Sequence, residues 1–141
     1  MDESLNPFRS PQPEQQAEAY VRAEVFRGAT VTGFVDRYEF FVPEITQVVP
    51  QAIAFYEGTR AKVVSEDPLT FRRGNLWSTV LGPESYAQQR IVLRVDPQQH
   101  RVNLEYHIQL LLTARVYNTS HREAVRLAQH LGAVHPDALG I

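Results

Sequence analysis

Five histidines, His100, His107, His121, His130 and His135, all lie at or after residue 100 of this 141-residue chain. Such a cluster first suggests a metal site, because imidazole nitrogens suit zinc, copper and nickel when several converge on one point. Their spacing argues against convergence. His121 and His130 are nine positions apart on one predicted helix, about 900° of rotation at ~100° per residue, so they face opposite ways. Gly132 separates His130 from His135, and that spacing is not the His-x₃-His that puts two rings on one helical face. No Asp or Glu stands beside them in a ligand motif, so the sequence assigns no metal site and no cofactor. His130 near a helix end suits the helix dipole, His100 reads as a turn residue, and His107 reads as part of a polar strand face.

Acid–base catalysis needs a carboxylate or imidazole within hydrogen-bond reach of a substrate and a shifted pKa. Asp36, Glu39, Glu105 and His107 are the strand-borne groups of that kind, and Glu105 and His107 are the catalytic candidates. Neither falls in a Gly-x-Ser-x-Gly elbow, a His-Glu-x-x-His helix, a phosphate-cradling loop or an Asp-x-Asp pair. The plainer expectation for Glu105 is a diagonal surface ion pair with Arg94. The chain has no cysteine, which excludes disulfides, thiolate metal sites and a cysteine nucleophile.

The net charge is −2, with acidic residues outnumbering basic ones eleven to six through Asp67 and basic outnumbering acidic eight to five beyond it. Phe71, Arg72, Arg73, Trp77, Tyr86 and Arg90 mix rings with guanidinium groups as single-strand binders do. Phe71 and Trp77 nonetheless read as packing residues, and tight polynucleotide binding needs more positive charge than this half carries. Nucleic acid is therefore not the expected partner. Two apolar stretches, Tyr38–Val42 and Leu110–Leu112, point instead to a covered surface, with Phe41, Trp77 and Leu111 as candidate ligand- or partner-binding residues. The partner would be a second copy of the chain or another protein.

The elements that position these groups follow from periodicity. Thr30–Thr32 and Tyr38–Val42 are β-rich, and Ala17–Phe26 reads either as a helix following Pro13 or as a strand with Tyr20, Arg22, Glu24 and Phe26 on one side, the strand being favoured by the β-rich segments that follow. Thr46 reads as the N-cap of a helix over about 47–57, with Val48, Val49, Ala52, Ile53 and Tyr56 at helical spacing and Gly58 as its stop. Arg60–Ser65 and Leu69–Arg73 flank the turn-type cluster Glu66-Asp67-Pro68 and read as a hairpin. Leu76–Leu81 is either a strand or a helical turn. The clearest pattern is a second hairpin in which Asp96 pairs with Arg101 across a four-residue loop. Ile91, Leu93, Val95, Val102, Leu104 and Tyr106 then share one face, while Arg94, Asn103, Glu105, His107 and Gln109 share the other. Ser120-His121-Arg122-Glu123 is a capping-box sequence opening a helix over about 120–131, with Ala124, Val125, Leu127, Ala128 and Leu131 on its apolar side.

These elements make an α+β domain, an antiparallel sheet of four or more strands with two amphipathic helices packed on one face. Residues 1–17, with Pro7, Pro11 and Pro13, read as a flexible leader, 18–132 as one domain and 133–141 as a tail. The start lacks the pattern of a secretory signal and no window is long and apolar enough to cross a membrane, so the expected location is cytoplasmic. Asn6-Pro7-Phe8-Arg9-Ser10-Pro11 resembles the Asn-Pro-aromatic-x-Ser-Pro leaders of many bacterial proteins. The element order after residue 58, with Phe71-Arg72-Arg73-Gly74, resembles small uncharacterised bacterial α+β domains, a resemblance that implies no particular activity. The expectation is a non-catalytic binding or protein-interaction module, the alternative a hydrolase or isomerase with a pocket between sheet and helix.

Overall fold

A computed structural model describes residues 18–30, 33–74, 88–109 and 119–140. Trp77, Leu111, the segment Leu76–Leu81 and the leader lie outside the described residues. Strands β1 (Arg22–Thr30) and β2 (Gly33–Phe41) pair antiparallel, and a 3-10 turn at Ile45–Gln47 leads into helix α1 (Val48–Glu57). Strands β3 (Lys62–Glu66), β4 (Leu69–Arg73), β5 (Gln89–Asp96) and β6 (Arg101–Gln109) follow, then helix α2 (Thr119–His130) and a closing 3-10 turn, Pro136–Leu139. The six strands form one sheet in the order β1-β2-β6-β5-β4-β3, every neighbouring pair antiparallel.

The β5–β6 hairpin sets the register of the whole sheet. Val95 faces Val102, Leu93 faces Leu104 and Ile91 faces Tyr106, closed by Asp96 opposite Arg101. This is the register that alternation predicts, since a slip of one residue would bury Arg94 and Glu105 and expose Leu93 and Leu104. His100 closes the loop at φ 53°. Its Nδ1 lies 3.1 Å from the Val42 carbonyl, which can only accept, so Nδ1 carries the proton.

Both helices cover the face that bears these apolar residues. Val48, Ala52 and Tyr56 of α1 and Ala124, Leu127 and Ala128 of α2 are buried in one cluster with Tyr38, Phe40, Phe71, Leu104 and Tyr106. The expected helix 47–57 is present, but its start differs. Gln47, not Thr46, is the N-cap, and no side chain caps it. Gln47 N donates to Glu44 O and Val48 N to Ile45 O, so the preceding 3-10 turn satisfies amides that a threonine hydroxyl would otherwise serve. Val49, expected on the apolar side, is 42% exposed. Between Asp67 and Pro68 the chain makes the expected tight turn from β3 to β4.

The weak reading of Ala17–Phe26 as strand is right from Arg22 onward, residues 18–20 being helical. At the other end, Val134 N donates to Phe41 O at 2.9 Å, fastening residues 133–140 to the end of β2. Phe41 is half-buried there. Leu104 is fully buried and Asn103, next to it, lies on the opposite face. Leu104→Ala should therefore cost about 2–5 kcal/mol in a denaturant melt, and Asn103→Ala less than about 0.5 kcal/mol.

Candidate functional site

The sheet face opposite the helices carries the charged residues. Arg22, Arg37, Lys62, Arg72, Arg90, Arg94 and Arg101 share it with only Glu39, Asp96 and Glu105 among the side chains described. The overall charge of −2 therefore conceals a cation-rich face. A groove of about 330 Å³ runs along part of it, lined by Arg22, Arg37, Glu39, Arg94, Asn103 and Glu105.

Glu105 is the centre of this surface. Its Oε1 accepts from Arg94 Nη1 at 2.7 Å, while Oε2 accepts from His107 Nε2 at 3.1 Å and lies 3.9 Å from Arg37 Nε. The predicted Arg94–Glu105 pair is present. Arg37 and Arg94 are half exposed, so these pairs orient side chains more than they stabilise the fold. Glu105 thus acts as a shared counter-ion, holding two guanidinium groups and an imidazole on one surface. The two catalytic candidates, Glu105 and His107, are neighbours engaged with each other. Phe41 lies away from them beside Arg101 at the far end of β2.

The opposite side of the sheet holds polar groups that the sequence did not single out as a unit. Arg73 is on the core face of β4, two residues past buried Phe71, and its guanidinium makes a two-pronged bond to Glu123 of α2. Nη1 donates to Oε2 at 2.8 Å and Nη2 to Oε1 at 2.7 Å, while Nη1 also reaches Thr59 Oγ1 and Nη2 reaches Gln89 Oε1. Tyr106 donates to Glu123 Oε1 at 2.8 Å, so the proton between Tyr56 and Tyr106, 2.8 Å apart, belongs to Tyr56. The chain of donation runs Tyr56, Tyr106, Glu123.

A second tie joins Ser120, whose hydroxyl donates to Asp36 Oδ2 at 2.6 Å and receives the Tyr38 hydroxyl at 2.7 Å. Asp36 Oδ1 is buried without a hydrogen-bond partner among the described residues. These contacts correct the expected capping box. Ser120 and Glu123 begin the helix as the motif implies, but both side chains turn away from the helix amides to the sheet. Alternation from Phe71 to Arg73 and from Asp36 to Tyr38 was the available signal, because it puts a charge on a buried face that then requires a partner.

Chemically, this interior network is closed. Every guanidinium nitrogen of Arg73 is engaged, and Glu123 accepts two hydrogen bonds at Oε1 and one at Oε2, so both groups are committed to one another and to their neighbours. Glu123 outweighs the effect of burial on Arg73 and holds its pKa above the ordinary value. Burial, reinforced by the neighbouring Glu123 carboxylate, pushes both Tyr56 and Tyr106 well above the usual phenol range. His121 packs against Tyr38 and His130 against Phe55, on different sides of α2. Among the described residues no three His, Asp or Glu side chains gather where they could hold a metal ion.

The chain gives no significant match to any protein-family model, curated protein or solved structure.

The raised phenol pKa values have a measurable consequence. Below pH 10.0 both tyrosines are neutral folded or unfolded, so they add no pH dependence. Above it the unfolded chain ionises them and the folded chain does not. Each should then remove about 1.4 kcal/mol of stability per pH unit until its folded-state pKa is reached. A Tyr56→Phe, Tyr106→Phe protein, compared with the parent between pH 9 and 11.5 by urea melts, should show a shallower alkaline loss. Equal slopes would mean that the two phenols ionise normally in the fold.

Proposed function

We propose that this domain is a non-catalytic binding module that engages a protein partner through its cation-rich sheet face. The observation that carries the reading is the division of labour between faces. Both helices and the closed Arg73–Glu123 network fill one side, and the other bears arginines that one shared carboxylate orients outward. Half-exposed, oriented guanidinium groups are suited to recognition, since Arg presents a rigid fork of donors. The interior is less suited to the alternative reading as a hydrolase or isomerase. Tyr56, Phe71 and Tyr106, all at 0% exposure, fill the layer between sheet and helices where such a pocket would lie.

Pairing of this face with a second copy of itself would place like charges together, which favours a different protein as partner. No helix among the described residues is long and apolar enough to cross a membrane.

A photo-crosslinking amino acid placed at Asn103 or Arg37 tests the reading, with Arg126, exposed on α2, as the control position. The expected result is a discrete adduct from the two sheet positions and none from Arg126, lost when Glu105→Lys is added. A substrate screen that detects turnover abolished by Glu105→Gln with His107→Ala would contradict the reading and establish the enzyme alternative.

A further inference from the structure

The sheet register places Lys62 opposite Arg72, Arg72 opposite Arg90, and Arg90 opposite His107. All four stand on the face opposite the helices, in one row that crosses β3, β4, β5 and β6. Directly opposed like charges, here Lys62 with Arg72 and Arg72 with Arg90, destabilise a sheet, so packing alone gives no reason for this row. The exposed Lys62, Arg72 and Arg90 make no ion pair or side-chain hydrogen bond among the described residues. Glu105, which lies across from Val92, is already taken by Arg94, Arg37 and His107.

We propose that the row Lys62–Arg72–Arg90–His107 binds a carboxylate-rich extended segment of a partner protein, with acidic residues at alternate positions. The inference rests on the binding-module reading and names the partner's chemistry.

Three features favour this occupant. Strands lie ~4.8 Å apart, so the row spans roughly 14 Å, and three side chains on one side of an extended segment, at positions i, i+2 and i+4, span about 13 Å. Guanidinium forks match carboxylates in two-pronged geometry. Among the described residues β3 is an edge strand, so the row runs to the border of the described sheet, from which a segment can enter. A single-stranded nucleic acid would also bring evenly spaced anions, but its bases need rings to stack on. Among the described residues, those flanking the row on β4 and β5 are Thr70 and Val92 on one side and Gly74 and Gln88 on the other, none of them aromatic.

The test uses the full chain with a fluorescein-labelled eight-residue peptide of alternating Glu and Thr, its Gln-for-Glu counterpart, and a dT12 oligonucleotide, read by anisotropy. The expected result is binding of the Glu peptide alone, weakened at least about tenfold between 50 and 300 mM NaCl and at least about tenfold by Arg72→Gln with Arg90→Gln. Arg126→Gln should leave it unchanged. The single variant Arg90→Glu supplies an independent readout, because it converts a repulsive cross-strand pair into an attractive one. Its midpoint should rise by about 1–2 °C while peptide binding is lost, which separates a functional row from a misfolded variant. Tighter binding of dT12, sensitive to the same substitutions, would overturn the carboxylate assignment and leave a binding face. Absence of binding by either probe, alongside specific crosslinks at Asn103, would overturn the row as the contact while the module reading stood. Absence of both would remove the two together.

Discussion

The two-pronged bond between Arg73 and Glu123 is the constraint on which the arrangement of this domain depends. It joins the end of β4 to the second turn of α2, residues fifty positions apart, at a place where neither charge is more than 18% exposed. Burying either group alone would be costly, and burying both is tolerable only because Thr59, Gln89 and Tyr106 complete their hydrogen bonds. That completion also explains the tyrosines. Tyr106 must point its hydroxyl at Glu123, and Tyr56 must then donate to Tyr106, which fixes α1 against β6 through the same carboxylate. One acidic side chain thereby aligns two helices with two strands.

Once α1 and α2 are held on one face, the other face is free to be polar. Glu105 stands on that face, one residue before Tyr106, which reaches Glu123 on the opposite side. β6 therefore serves both surfaces through strict alternation. Its even residues Val102, Leu104, Tyr106 and Ile108 build the interior, and its odd residues Asn103, Glu105 and His107 build the outer face. The core and the outer face use different side chains of the same strand, so the charge of the outer face can be altered without disturbing the core. The cost of opposing Arg72 to Arg90 is small compared with the apolar burial on the far side.

Much of this fold is legible in the sequence where local pattern decides it. The hairpin register could be written down because six apolar side chains fall on one face only when Asp96 meets Arg101. The helix over Val48–Glu57 and the start of α2 followed from spacing and from the Ser120-x-x-Glu123 signature. The roles of Ser120 and Glu123 were not legible, because the groups that divert them, Asp36, Tyr38, Arg73 and Tyr106, are distant in the chain and meet only when the sheet closes. The cationic row was hidden for the same reason. Lys62, Arg72, Arg90 and His107 are scattered in sequence and become neighbours only through the β3–β4, β4–β5 and β5–β6 registers. Glu105 and His107 were picked out as reactive groups, and the structure gives them one another and two arginines as partners.

The most direct measurement of the central claim, that one charge pair locks the helices to a single face, is a double-mutant cycle on Arg73 and Glu123. Arg73→Met and Glu123→Leu should each cost about 3–5 kcal/mol in denaturant melts, because each leaves the other charge buried and unpaired. The double variant should cost clearly less than the two together, with a coupling of about 2 kcal/mol or more. Additive losses would show that Arg73 and Glu123 act independently and that the helices are held to the sheet by other means.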